Sequence, residues 1–450
     1  MKGIIVAAIK SGSGKTMFTC ALLQALKDRN MFPKAFKCGP DYIDPMFHKQ
    51  VIGVPSENLD SFFSTEEQLK RIYAQNTSHS QIAVIEGVMG LYDGLGGIKE
   101  EGSAYHLAKI LKVPVILVID AHGMGRSVIP LISGFLQYDT EHLIKGVVLN
   151  KISKSFYETI GKTIEEELNV EVLGWMPKKE ELILESRHLG LKLPDEICNL
   201  KEQIKKTAEI LEECVDVEKI LRIMDDTKDP VSSLEEYYFV KNKVRIAVAK
   251  DEAFCFYYEE NFRILEKYGA ELIFFSPLHD EKLPSDIDGV ILGGGYPELY
   301  AEQLEKNHSM RNSIKAALED QMPSVAECGG FMYLHDELTD QRQRSYQMCH
   351  VVKGRCFYTG KLVRFGYIEL SEKKKRWMEG QKIKAHEFHY YDSDANGEDM
   401  LAVKPLRKRE WDCIYAGERN FWGFPHLYYA SNEAFAKHFI DVAQDYRKER

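Results

Sequence analysis

Short apolar runs stopped by Gly, Pro, Asp or Asn recur through the first half of the chain, at 3–8 (GIIVAA), 82–85 (IAVI), 113–119 (VPVILVI) and 146–149 (GVVL). A continuous apolar run offers no polar face to water, so each reads as a strand buried on both sides of a sheet. Between them, segments 16–29 and 104–111 repeat their apolar positions at the period of a helix with one buried face. Strands that alternate with helices predict a mostly parallel sheet covered by helices on both faces.

The pattern shifts after about residue 200. Residues 201–225 are charged and helical, and 226–238 carry Lys, Asp, Pro and a Ser pair. A fresh first strand then opens at 244–249 (VRIAVA), and the alternation continues through 271–275, 289–292 and 324–326. From 346 to 429 the pattern becomes strand-rich, notably at 356–363 and 383–391, as for a sheet that acquires antiparallel members. The expected organisation is an α/β chain of two domains, 1–225 and 243–450, joined by a linker over 226–242, without internal repeats or low-complexity tracts.

Composition narrows the function classes. With 450 residues, 44% hydrophobic and 28% charged, the chain is globular rather than disordered. Its net charge of -10 disfavours a nucleic-acid binder with a broad basic surface, so an anionic ligand must be met by local charge. No apolar stretch approaches the roughly 18 residues of a membrane span, and a cytoplasmic protein with no membrane or nucleic-acid partner is expected. The 9 cysteines are odd in number, scattered and without a CxxC pair, which points to reduced thiols rather than a zinc or redox site.

One thiol and one phosphate loop stand out. Directly after the first strand, Lys10, Ser11, Gly12, Ser13, Gly14, Lys15 and Thr16 lead into a helix. Glycines let the backbone turn tightly and aim N–H groups at phosphate oxygens, Lys15 brings positive charge to the β- and γ-phosphates, and the Thr16 hydroxyl suits Mg²⁺. Ile9 stands where the common loop has its first Gly, and Lys10 resembles the extra leading lysine of a branch of P-loop ATPases that often work as dimers. Carboxylates near strand ends should face this loop. Asp41 and Asp44 flank Tyr42 in a rigid Cys-Gly-Pro-Asp turn, and Glu86 and Asp93 bracket a Gly-rich stretch; Asp120, and Asn150 for a nucleotide base, are weaker candidates.

In the second half, Cys328 sits between the strand 324–326 and Gly329-Gly330. A strand-to-helix turn of this kind projects the sulfur, places it at a helix N-terminus and leaves the Gly329 N–H as an oxyanion donor. Gly293, Gly294 and Gly295, at another strand end, could complete the oxyanion hole and bind a substrate backbone. The general base should be a distant histidine: His386, His389 or His426.

An ATP site in one half and a Cys-centred hydrolase in the other together suggest an ATP-dependent amidotransferase. The motifs resemble those of the cobyrinic acid a,c-diamide synthase family across nearly the whole chain and in order: 11–16, 37–45 with His48, 58–60, 86–94, 186–191, 293–299, 326–331, 364–367 and 386–390. The resemblance implies a dethiobiotin-synthetase-like N-terminal domain and a triad-type glutamine amidotransferase C-terminal domain. It implies that Lys15 and Thr16 meet phosphate and Mg²⁺, that Asp41, Tyr42, Asp44 and Glu86 lie at the metal, phosphate and substrate-carboxylate centre with Thr16, Asp44 and Glu86 as metal ligands, and that Cys328 is the glutaminase nucleophile with His426 its partner. His386 and His389 fall in a run with a structural or domain-joining role. Many triad enzymes carry Pro-Glu after the histidine; here Leu427-Tyr428 follows, so a third member is not identifiable and a dyad, or a polar group from elsewhere, would orient His426.

The implied reaction is amidation of the a- and c-acetates of cobyrinic acid, in cobalamin biosynthesis, with ATP and L-glutamine, by a monomer or homodimer. Nickel-sirohydrochlorin and hydrogenobyrinic acid are alternative macrocycles. A nucleotide-dependent switch fused to an inactive glutaminase-like module is a different class, opposed by the intact Cys328 and His426. A dehydrogenase lacks support, since no GxGxxG loop opens either half.

Overall fold

The computed structural model describes residues 2–78, 80, 82–179, 182, 186, 187, 190, 191, 194, 197, 199–225, 227 and 243–450. The chain divides into two compact units, 1–235 and 236–450. The linker expected over 226–242 lies outside the described residues except for Thr227, as do His188 and Leu189.

The first unit is built on a parallel sheet of seven strands: β1 (Lys2–Ala8), β2 (Pro33–Cys38), β3 (Ser56–Leu59), β4 (Ile82–Glu86), β5 (Val115–Asp120), β6 (Ile144–Asn150) and β7 (Glu171–Met176). Their order is β3-β2-β4-β1-β5-β6-β7, and a small ribbon pairs β8 (Ser186–Arg187) with β9 (Gly190–Leu191). Ile5, Ala7, Ile85, Leu117 and Val147 are fully buried, which is why the runs carry no polar alternation. β2, β3 and β7 were not legible as apolar runs, because β2 buries Lys34 and Lys37 and β3 buries Ser56 and Glu57. Lys34 and Glu57 form a buried ion pair at 3.0 Å, so those charges are satisfied inside the protein rather than in water. All seven strands end at one edge, and β1, between β4 and β5, delivers the chain there into helix α1 (Lys15–Asp28).

The second unit has a six-stranded sheet in the order β11-β10-β12-β13-β23-β22. Its strands are β10 (Val244–Ala249), β11 (Ala270–Phe275), β12 (Gly289–Leu292), β13 (Ser324–Glu327), β22 (Tyr415–Ala416) and β23 (Asn420–Gly423), parallel except for the β22–β23 pair. Only β22 adds to this sheet in the antiparallel sense. The remaining strand-rich segment forms two separate sheets. One joins β14 (His335–Thr339), β15 (Ser345–Gln347), β16 (Val352–Tyr358) and β19 (Tyr391–Ser393); the other is β21-β20-β17-β18-β24. In the latter, β17 (Arg364–Glu372) and β18 (Lys382–His389) form a long hairpin, flanked by β20 (Met400–Val403), β21 (Glu410–Cys413) and β24 (His426–Leu427). Among the described residues no helix is long and apolar enough to cross a membrane.

Candidate active site

The phosphate loop is shaped by backbone conformations that favour glycine. Gly12 and Gly14 have φ of 75° and 91°, the left-handed region, and a Cβ on Gly14 would overlap the Asn150 side chain. Asn150, a candidate for a nucleotide base, donates Nδ2–H to the Ser13 carbonyl at 2.8 Å and so holds the loop. Lys151, paired with Asp120 at 2.8 Å, reaches the Gly12 carbonyl at 3.2 Å. The Lys10 side chain is exposed, and its carbonyl accepts from the Ser13 hydroxyl at 2.9 Å.

Strand register assembles the charged centre below the loop. β2 and β4 pair with Lys37 directly beside Glu86, so both side chains leave the sheet on one face at its C-terminal edge. The Lys37 ammonium donates to Glu86 Oε1 at 3.0 Å, to the Gly87 carbonyl at 3.3 Å and to Asp44. Thr16 Oγ1 donates to the same Glu86 oxygen at 2.6 Å, and His48 Nε2 lies 3.2 Å from Oε2, its Nδ1 meeting Ser56 Oγ at 2.9 Å. Burial would raise Glu86, but Lys37, His48 and Thr16 outweigh it and hold the carboxyl below the usual carboxylate range. Burial likewise opposes the charge on Lys37, yet Asp44, Glu86 and Asp41 keep its pKa above the ordinary lysine value. Asp44 is pushed up by burial and by the charges of Asp41 and Glu86, against Lys37.

Lys15 is buried, donates to the Met89 carbonyl at 2.5 Å, and is lowered to about 8, first by burial and then by the charge of Lys37. Asp41 turns inward on its own loop: Oδ1 accepts from the backbone N–H of Ile43 at 2.8 Å and of Asp44 at 3.3 Å, capping the short helix α2 (Ile43–Met46). Tyr42 is buried beside it. Asp93 accepts from the Gly90 N–H at 2.9 Å and shapes the Gly-rich stretch. Thus Thr16, Lys15, Asp44 and Glu86 converge as their motifs suggest, while Lys37 is a central cation that sequence reading passed over. Its one signal is its place near the end of β2, immediately before the Cys-Gly-Pro-Asp turn.

In the second unit Cys328 has φ of 44° and ψ of -103°, a strained elbow between β13 and the short helix Gly329–Leu334. Its N–H donates to the Gly423 carbonyl at 2.9 Å, locking the elbow to the end of β23. A Cβ on Gly329 would sit 3.1 Å from the Gly295 nitrogen, so the two glycine backbones lie close together. A Cβ on Gly294 would overlap the His426 ring, and Gly295, at φ 155°, has no room beside the Ala253 carbonyl. His426 is directly opposite His386 in the β18–β24 ladder, and their rings stack at 4.9 Å with 19° between planes. Tyr258 OH holds His386 Nδ1 at 3.1 Å. His389 stacks on Phe424 and meets Glu387 Oε2 at 2.9 Å.

Burial pushes the Cys328 thiol up, aided by the charges of Glu298 and Glu387, and pushes His426 well below its usual range, with His386 and His389 adding to it. A neutral thiol and a neutral imidazole are the resting form of a nucleophile that ionises when its base takes the proton. Sequence reading also passed over Glu327, whose Oε2 lies 3.9 Å from His426 Nδ1.

Each unit matches a known family model. Residues 4–191 match the CobQ/CobB/MinD/ParA nucleotide binding domain, and residues 245–433 match the CobB/CobQ-like glutamine amidotransferase domain. The chain is 40% identical to the cobyrinate a,c-diamide synthase of Caldanaerobacter subterraneus subsp. tengcongensis, with 97% of each chain covered. It is 39% identical to that of Clostridium acetobutylicum, over 98% of this chain and 100% of the relative, and 37% identical to that of Thermoplasma volcanium, over 99% and 98%. Identity at this level along both units, with a phosphate loop in one and a cysteine elbow in the other, means that the chain belongs to the cobyrinate a,c-diamide synthase family, a family of glutamine-dependent ligases.

Proposed function

We propose that this chain converts the a- and c-acetate side chains of cobyrinic acid to amides in the cytoplasm, using ammonia from glutamine and energy from ATP. The observation that carries the reading is that one chain holds both a lysine-centred phosphate loop and a cysteine elbow with its histidine. Each supplies half of an amidation: an activated carboxylate and a nitrogen nucleophile.

At the first centre the loop N–H groups cradle the triphosphate, and Lys15 turns from the Met89 carbonyl to the phosphoryl oxygens. An acetate oxygen attacks the γ-phosphorus, ADP leaves, and an acyl phosphate forms. Lys37, held between Asp44 and Glu86, supplies fixed positive charge near the substrate carboxylate. The Thr16 hydroxyl with the Asp44 and Glu86 carboxylates is a hard-oxygen set suited to Mg²⁺ completed by phosphate oxygens and water, where the ion would neutralise phosphate charge. Ammonia then attacks the acyl carbon and phosphate leaves.

At the second centre His426 takes the Cys328 proton, the thiolate attacks the glutamine carboxamide, and the Gly329 and Gly294–Gly295 backbone faces the oxyanion. The protonated imidazole returns its proton to departing ammonia, and water hydrolyses the thioester to glutamate.

Mass spectrometry of cobyrinic acid incubated with the protein, MgATP and glutamine should show two successive amidations. Cys328→Ala should lose glutamine-driven product while keeping activity with high ammonium. Turnover of nickel-sirohydrochlorin alone would reassign the macrocycle, and no amidation of either would refute the ligase reading.

A further inference from the structure

The histidine assigned as the base for the nucleophile needs a group that fixes its tautomer and stabilises the imidazolium that forms on it. Leu427 and Tyr428, which follow His426, cannot accept a ring proton through their side chains as a carboxylate does. One carboxylate nevertheless faces the ring from another element. Glu327, the last residue of β13, is buried, and its Oε2 is 3.9 Å from His426 Nδ1. Its Oε1 has no hydrogen-bond partner among the described residues, while the carboxyl as a whole takes hydrogen bonds from the Leu427 backbone and the Tyr429 side chain.

Three neighbouring groups are otherwise engaged. His386 stacks on its face with Nδ1 engaged by Tyr258, and Gly294 closes against Cε1. His389 is stacked on Phe424, and Glu387 already binds His389 at 2.9 Å and lies 3.7 Å from Arg364.

We propose that Glu327, the residue immediately before the nucleophile, is the positioning residue of the glutaminase centre: it accepts the Nδ1 proton of His426, so that Nε2 is the base that faces Cys328. The inference rests on the glutaminase reading of Cys328. A contraction of about 1 Å, of the kind that catalytic hydrogen bonds undergo when substrate binds, converts the present separation into a hydrogen bond. Burial raises the Glu327 carboxyl to about 8, against hydrogen bonds from the Leu427 backbone and the Tyr429 side chain. A positive charge arriving on the imidazole is what draws that carboxyl into its ionised form. Placing the acid on the nucleophile's own strand means that the elbow, locked to β23 by the Cys328 N–H, sets acid and thiol together.

The test is steady-state glutamine hydrolysis and ammonium-driven amidation by the full chain carrying Glu327→Gln, with Cys328→Ala and Glu387→Gln alongside. Glu327→Gln should lower kcat for hydrolysis about 100-fold or more, leave KM for glutamine within about threefold, shift the acid limb of the pH profile, and leave ammonium-driven amidation intact. A kcat within about threefold of wild type, a parallel fall in ammonium-driven activity, or a large loss in Glu387→Gln with none in Glu327→Gln would overturn it. Glutamine hydrolysis surviving in Cys328→Ala would overturn the glutaminase reading as well. Independently of any variant at 327, ¹⁵N shifts of the wild-type His426 ring, read above pH 8 where the Glu327 carboxyl is ionised, must report the Nδ1-protonated tautomer; an Nε2-protonated ring there would overturn the assignment.

Discussion

Replacing Lys37 with Met tests the electrostatics of the phosphate centre directly. Lys37, Asp44 and Glu86 are all buried, and the ammonium is bound to both carboxylates. Methionine fills the same volume but leaves the acids without their cation. In the wild type the folded value of Glu86 is depressed, so its stabilising contribution is present above the ordinary 4.5 and lost only as pH falls through the lower folded value. Without Lys37 the remaining dominant influence is burial, which raises it, and the variant's native state takes up one more proton than the wild type's near neutral pH. The stability gap between the two proteins therefore grows as pH rises, by about 1.4 kcal/mol per pH unit inside that window. From pH 5 to 7 this amounts to about 3 kcal/mol, and the full cost near pH 8 should reach about 3–5 kcal/mol, the usual penalty for stripping one partner from a buried pair. For a unit of 235 residues, about 2–4 °C per kcal/mol widens the melting-temperature gap by roughly 5–11 °C between those pH values. Scanning calorimetry in EDTA without nucleotide measures it, on the transition that ATP shifts upward in a parallel magnesium-containing scan. A gap that stays constant from pH 5 to 7 would refute the reasoning, because a packing defect carries no proton.

Two further substitutions separate the centres. Lys15→Ala should abolish amidation from glutamine and from ammonium alike while glutamine hydrolysis persists, since its ammonium serves only the phosphate loop; amidation at the wild-type rate would remove the loop from the chemistry. Gly294→Ala places a Cβ on the His426 ring, so hydrolysis of glutamine should fall about 100-fold or more with ammonium-driven amidation retained, measured by glutamate release and by product mass. Unchanged hydrolysis would mean that the ring does not need the place it occupies against Gly294.

What could be read from sequence followed one physical rule, that burial shows where it excludes polarity. Strands such as β4, β5 and β10 are apolar over most of their length and stand out unaided, as does the Gly-rich turn before α1. β2 and β3 do not, because Lys34, Lys37, Ser56 and Glu57 are buried there with partners from a neighbouring strand or helix, and a linear reading cannot see a partner across the sheet. The same blindness explains the candidate sites. Lys15, Thr16, Cys328 and the glycines carry their chemistry in local spacing. Lys37 acquires its role from register, which seats it beside Glu86, and Glu327 acquires its place near His426 because β13 and β23 end together, bringing residues about 100 positions apart to one sheet edge. Asp41 shows the converse. Its motif places it among the acids, yet its oxygen caps the backbone of Ile43 and Asp44, so the turn itself consumes part of the negative charge that the motif seemed to offer a ligand. Local spacing thus names the groups that do chemistry, while the groups that tune them are chosen by which strands lie side by side.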